Sequence, residues 1–377
     1  MKYEEILKRT AVTFPTDYAG VIERLGCIDP IEYGRTRNFI DGATTGLSPF
    51  ISRGLISTKQ ILQSVFDRGF RIEQIETFVK ELCWRDYFQR VAQARDLNSD
   101  IMQAQVSVEH RGIPVSVTMG STGIDGIDDA IRELYRTGYM HNHCRMYTAS
   151  LTCNIARSHW HQPARWMYYH LLDGDWASNA CSWQWVAGAN SRKKYYANQQ
   201  NVNTYTRTCQ TGTFLDRSYE DLSLMDVPEV LAGTIAVTLE TILPSSNNIR
   251  TNADQPTFIY NYYNLDPTWH KDQPGNRILL LEPSFFEQYP VNSRCIDFML
   301  ALSRNIPEIQ LYVGSFTSLS ETYALGDVYY KEHPLNIGYR GIMEERDWIA
   351  PSAIGYYSSF SSYWRTIKSH IHLDVSH

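Results

Sequence analysis

No apolar run in this 377-residue chain approaches the roughly 20 residues that a bilayer-spanning helix needs, and its start, MKYEEILKRT, places acids where a leader would be apolar. Neither a membrane span nor a secretory leader is expected. Paired cysteines are missing too. The seven, at 27, 83, 144, 153, 181, 209 and 295, form no C-x-x-C, and an odd number of scattered thiols signals neither a disulfide framework nor a thiolate-held metal. A reducing, cytoplasmic compartment is the expectation. Charge is scarce, at 20% of residues, and slightly acidic: 35 basic against 41 acidic side chains give a formal −6. That excludes a surface which binds nucleic acid indiscriminately, so any such contact has to be local. No Pro, Gly or Ser run is long enough for a low-complexity linker. With 43% hydrophobic residues, the length suggests about two domains of ~100–200 residues each.

What is abundant is aromatic: 25 Tyr, 14 Phe and 9 Trp, with Trp84, Trp160, Trp166, Trp176, Trp183 and Trp185 gathered in one stretch. Indole is large and its N–H seeks a partner when buried. The cluster therefore fits a flat-ligand pocket, a route for electrons, or a Trp-rich core.

Residues 60 to about 187 read as helical. Ile127, Ala130, Ile131, Leu134 and Tyr135 repeat at helical spacing behind Asp125, Asp128 and Asp129, with Gly138 as a stop. From about Thr234 the texture changes to short β-rich runs, Phe258–Tyr262, Arg277–Leu281, Gln310–Val313 and Val328–Tyr330, around a helical pattern over Val291–Arg304. Alternating strand and helix predicts a small α/β unit with a largely parallel sheet. The expected fold is mainly α, with a helical domain over 1–233 followed by a small α/β domain over 234–377.

Four constellations carry chemistry. In FVKELCWRDYF, Glu81, Trp84, Arg85 and Phe88 share one helix face, so an acid, an indole and a guanidinium line one stripe. That is either a surface ion pair beside a half-buried Trp or the wall of a pocket. In GYMHNHCRMYTASLTC, Asn142, Arg145, Met146 and Ala149 share another face. His141 and His143 stand at i, i+2, which cannot converge on a metal from one helix, and no metal is expected. DGDWASNACSWQW crowds Asp173, Asp175 and Asn179 into seven residues but lacks the ligands of a calcium loop. ATTGLSPFIS is a hydroxyl-rich turn before a helix, a plausible anion seat without the spacing of a P-loop.

In this order the segments resemble the FAD-binding domain of the photolyase/cryptochrome family, from about Tyr33 to Trp185. The family's phosphate turn T-S-x-L-S-P is similar to Thr44-Thr45-Gly46-Leu47-Ser48-Pro49, and its E-L-x-W-R-E/D to Glu81–Asp86. T-G-x-x-x-x-D-A-x-R-x-L resembles Thr122–Leu134, with Asp129 and Ala130 taken as its D-A. W-M-H-N-R-x-R-M resembles Tyr139–Met146, and D-G-D-x-A-x-N-x-x-x-W-Q-W matches Asp173–Trp185. The resemblance implies FAD as cofactor, held by Tyr33, Thr44, Thr45, Leu47, Ser48, Arg85, Arg145, Asp173, Asp175 and Asn179, with Asn179 facing flavin N5. It implies that Glu81, Trp84, Asn142, Met146 and Trp185 receive a cyclobutane pyrimidine dimer flipped from DNA, and that Trp183 and Trp160 relay electrons. The implied activity is that of a light-driven dimer lyase, working as a monomer on damaged and possibly single-stranded DNA. A cryptochrome-like photoreceptor that binds FAD without repair is the alternative. The chain departs from the pattern in three ways. A third relay tryptophan has no counterpart, leaving Trp166, Trp176 or a tyrosine. His143 and Gly46 replace expected DNA-contacting side chains, and the family's N-terminal α/β antenna domain is not seen ahead of the FAD motifs. Arg192, Lys193 and Lys194, followed by Tyr195 and Tyr196, form the best local candidate for strand contact.

Overall fold

The computed structural model describes residues 14–246 and 248–371. The described chain falls into two compact units that are not consecutive in sequence: one built from 31–44 and 95–239, the other from 14–30, 45–94 and 240–371. The expectation of a mainly helical chain is corrected, because the second unit combines helices with a five-stranded parallel sheet and the protein is mixed α/β.

The first unit is helical apart from a two-residue ladder of β1 (Ile113–Pro114) with β2 (Thr234–Ile235). Its helices form where the apolar spacing predicts. Asp125–Thr137 buries Ile127, Ala130, Ile131 and Leu134, and ends where Gly138 takes φ 77°, a left-handed conformation that costs glycine little. The turn in front of it corrects the motif reading. Asp128, not Asp129, is the buried carboxylate that closes it, accepting from the Thr122 N–H and hydroxyl at 2.7 Å each and from Gly123 N–H at 3.0 Å. Four residues after Thr-Gly lead to position 128, and Asp129 instead faces outward to pair with Arg132. Asn142–Ser150 runs on into one π-turn, Leu151–Ile155, and Trp176–Ala187 packs beside it.

In the second unit, strands β3 (Thr257–Tyr260), β4 (Asn276–Leu281), β5 (Gln310–Val313), β6 (Val328–Lys331) and β7 (Ile342–Glu344) stand in the order β5-β4-β3-β6-β7, all parallel. β3 and β4 are buried along their whole length, as expected of strands covered on both faces. Ile249, Ile259, Ile278, Leu280, Tyr312, Phe316 and Leu319 form a core on one side. The long helix Ile72–Ala94 belongs to this unit and is buried on most of its circumference. Its Asp86 is held by the Thr58 hydroxyl at 2.7 Å and the Ile349 N–H at 2.9 Å, and burial pushes its carboxyl above the usual range. The C-terminal helix Phe360–Ile367 packs on it through Tyr363, Trp364 and Ile367. Among the described residues no helix is long and apolar enough to cross a membrane.

Candidate functional site

The candidate residues divide between the units: Thr45, Leu47, Ser48, Glu81, Trp84 and Arg85 lie in the second, and the others in the first. Within the first unit several are brought together. His141 caps the helix Asn142–Ser150, its Nδ1 accepting from the His143 N–H at 3.2 Å, and this start orients Arg145 one turn later. Arg145 donates Nε–H to the Met140 carbonyl at 2.8 Å and one terminal nitrogen to both Asp173 oxygens at 3.0 and 2.8 Å. The Asp173 side chain is only 4% exposed and that of Arg145 22%, so this is a largely desolvated ion pair. Tyr139 lies beneath the guanidinium, 5.6 Å from ring centre to Cζ, and also bonds Thr44; burial pushes its phenol up to about 12. Thr44, Tyr139, Arg145 and Asp173 therefore form one connected set. Tyr33 sits in the short helix Pro30–Thr36 of the same unit.

Asp175 is the N-cap of Trp176–Ala187, accepting from the Ser178 N–H at 2.8 Å. Asn179, one turn on, donates from its amide nitrogen to the Ala164 carbonyl at 2.8 Å. A carbonyl only accepts, so the amide orientation is determined and Oδ1 is turned to the opposite side as an acceptor. Further along the helix Trp183 is buried, while Trp185 is 40% exposed beside Tyr195, with ring centres 5.8 Å apart. The Tyr195 carbonyl is pinned by Ser150 and Asn154, the latter on the π-turn, and the exposed Arg192 and Lys193 precede it. Asn142 is exposed and Met146 half-buried on the next turn of their helix. Trp160 is fully buried, with Trp176 at 6.4 Å and Tyr168 beyond Trp176 at 5.6 Å.

In the second unit the turn before Ser48–Ser52 is tightened by Thr45, whose hydroxyl accepts from the Leu47 N–H at 3.2 Å. Gly46 has φ 63°, a conformation that asks for glycine, and its carbonyl accepts from Arg24. Arg85 donates to the Ser52 hydroxyl, tying the long helix to that turn. Glu81 and Trp84 are half-buried. One feature here escaped sequence reasoning: Phe360, from the C-terminal helix, lies flat on Trp84 with centroids 3.9 Å apart and planes within 10°. Nothing in the spacing of either segment marks a pairing 276 residues apart in sequence, and only the packing of the C-terminal helix reveals it.

The family model for the FAD binding domain of DNA photolyase matches residues 78–232. Over these residues the chain is similar to the FAD-binding domain of photolyases. It is 30% identical over 183 residues to the deoxyribodipyrimidine photo-lyase of Alkalihalophilus pseudofirmus, covering 47% of this chain and 38% of that protein. It is 27% identical over 216 residues to that of Synechococcus, covering 54% and 45%. The cryptochrome DASH of Natronomonas pharaonis is 30% identical over 192 residues, covering 46% and 39%. Among solved structures, the Synechocystis cryptochrome is 25% identical, covering 59% of this chain and 49% of that one, with a TM-score of 0.44. The chain thus spans less than half the length of these curated relatives. The matched domain is one that binds FAD, and the residues of the first unit fit that cofactor: Arg145 and Asp173 form an ion pair of no net charge, and Asn179 presents an acceptor.

Proposed function

We propose that this protein is a light-driven DNA repair enzyme that splits cyclobutane pyrimidine dimers using reduced FAD. The observation that carries this reading is the exposed Trp185–Tyr195 step beside Arg192 and Lys193, in the unit that also holds the Arg145–Asp173 pair. Bases stack on such aromatic platforms whatever their sequence, and the neighbouring cations suit a single strand or a flipped lesion. When bound, FAD supplies an electron on excitation and takes it back after the dimer has split. The chain's residues do the rest. Arg145 and Asp173 anchor the cofactor, with Tyr33, Thr44, Thr45, Leu47, Ser48, Arg85 and Asp175 supporting it. Asn179 offers its Oδ1 to a donor on the flavin edge, and Glu81, Trp84, Asn142 and Met146 join Trp185 in receiving the lesion. Trp183 and Trp160 carry electrons inward to restore the reduced cofactor, and Trp176 is the candidate for the missing third member because it packs on Trp160. The protein acts as a cytoplasmic monomer without a metal.

A photoreceptor that binds FAD without repair is favoured by one observation, the Phe360 ring that already covers one face of Trp84. Both readings are tested by illuminating the reduced protein with dimer-containing single-stranded DNA and counting restored thymines, for wild type and Phe360→Ala. Splitting by wild type supports repair. No splitting by either, with normal photoreduction, establishes the photoreceptor reading.

A further inference from the structure

Trp160 differs from Trp166, another buried indole of its unit, in what receives its indole N–H. Its Nε1 donates to Asp100 Oδ1 at 2.6 Å, whereas the Trp166 indole donates to the neutral Tyr135 hydroxyl at 3.1 Å. The Asp100 carboxylate is held in place from the other side, its Oδ2 accepting from the Gln105 backbone N–H at 2.8 Å, and the Gln105 side-chain oxygen in turn accepts from the Trp160 backbone N–H at 2.9 Å. Trp160 is fully buried, yet Asp100 is about one-fifth exposed, so the carboxylate stands between the indole and water. His159 closes the outer side, its Nε2 3.7 Å from the same Oδ1 and its side chain 15% exposed.

An indole N–H is not acidic in the ground state, but removal of one electron from the ring makes it strongly so. A carboxylate already accepting that hydrogen then takes the proton without any rearrangement. We propose that Asp100 is the proton acceptor for Trp160, so that electron transfer from this tryptophan is coupled to loss of its indole proton. The inference rests on the reading of Trp160 as an electron-relay residue. In the step, the photoexcited oxidised flavin cofactor is the oxidant and gains one electron from the Trp160 ring. The Nε1–H bond breaks, an O–H bond forms on Asp100, and Trp160 is left as a neutral radical. The proton then passes to His159 Nε2 and to solvent. A thiol reductant later returns one electron and one proton to the ring.

The surroundings favour this direction. Desolvation holds the His159 imidazole below its usual pKa, with Arg111 adding to the effect and Asp100 opposing it, so His159 is neutral and open to a proton at pH 7. His161, which faces the Trp160 ring edge-on at 5.3 Å, is held at about 4 by desolvation and by Arg165, His159 and Arg111, against Asp96, and it too is neutral. No fixed positive charge is therefore added beside the ring before it is oxidised by either imidazole. Loss of the proton removes the charge that would otherwise draw the electron back, which lengthens the charge-separated state.

Asp100 is a positioning and proton-accepting residue in this scheme, and its test reads the identity of the radical rather than turnover. Transient absorption after a blue flash should show the neutral Trp radical in wild type, with a solvent deuterium effect on its formation. In Asp100→Asn, which keeps the shape and an acceptor but not the base, the cation radical should persist and recombine on the order of tenfold faster, the change expected from losing one charge-assisted hydrogen bond. Asp100→Glu should restore the neutral radical. In the FAD-free protein, the Trp160 indole proton should move upfield by NMR in Asp100→Asn. A neutral radical of unchanged lifetime in Asp100→Asn overturns the inference. An unchanged radical yield in Trp160→Phe overturns the relay reading instead. Should Asp100→Asn fail to take up FAD, wild type decides alone: absence of a solvent deuterium effect refutes the coupling.

Discussion

Replacing Asp173 with alanine is the most direct test of where the cofactor sits. The carboxylate receives both bonds from one Arg145 nitrogen, at 3.0 and 2.8 Å, and its side chain is 4% exposed. Breaking a buried pair by removing one partner costs roughly 3–5 kcal/mol. Arg145 is 22% exposed and keeps its Nε bond to the Met140 carbonyl, so the lower end applies, about 3 kcal/mol. In the cofactor-free protein, water compensates much of this, because it can solvate the abandoned guanidinium. A flavin ring seated beside Arg145 excludes that water, so the penalty falls on binding and corresponds to about a hundredfold weaker FAD affinity. Asp173→Asn, which retains a neutral acceptor, should lose about tenfold. Flavin-to-protein ratio after gel filtration, apoprotein titration with FAD and far-UV circular dichroism together make the measurement. If Asp173→Ala binds FAD in a one-to-one ratio with wild-type affinity and unchanged dichroism, the placement of the cofactor beside Arg145 is wrong.

Trp183→Phe should slow photoreduction of oxidised FAD at least severalfold while leaving repair by chemically pre-reduced protein nearly intact; equal loss in both assays would make Trp183 a packing residue only. Trp185→Ala should weaken binding to dimer-containing DNA by roughly 1–3 kcal/mol without changing FAD content, since one stacking surface is removed; unchanged gel-shift affinity would exclude the Trp185–Tyr195 platform. The imidazoles of His141 and His143 are held at about 4 from 6.5, mainly by desolvation, with His143 and Arg145 adding to the effect at His141 and Arg37 at His143. The unfolded chain binds these protons more readily than the folded one, so their contribution is complete above pH 6.5 and is lost as pH falls toward 4, up to about 3 kcal/mol for the buried His141 alone. Urea unfolding at pH 7 and 5 should show this, and His141→Asn, which keeps a capping oxygen, should flatten the dependence; an unaltered slope would refute it.

The periodic elements were legible because one buried face dictates each of them. The stripe Ile127, Ala130, Ile131 and Leu134 is the buried face of its helix, and four of the strands lie within a residue or two of their predicted runs. β7 was not legible: Ile342–Glu344 is three residues long and mostly exposed, so it carries neither an apolar run nor a clean alternation. The interleaving of the two units was also invisible. Segments 14–30 and 45–94 read as parts of one domain over 1–233, and their association with 240–371 depends on contacts distant in sequence, such as the Thr58–Asp86–Ile349 bridge.

The site was legible where chemistry is local and opaque where it depends on what packs across from it. Spacing alone puts Asp173, Asp175 and Asn179 around one helix start, and the structure then separates their tasks: an ion-pair partner, an N-cap and an oriented amide. Spacing also places Trp183 and Trp185 on opposite sides of a helix, since residues two apart differ by about 200° in direction, and their burial differs accordingly. No pattern within Leu97–Gln105 announces that Asp100 will meet the indole of Trp160, and none near Ser359 announces the ring that covers Trp84. Both are side chains on irregular or terminal segments, brought to tryptophans by the fold alone. Each also changes what its tryptophan can do, since a carboxylate on the N–H governs whether an electron leaves with a proton, and a ring on the face governs whether a base can stack there.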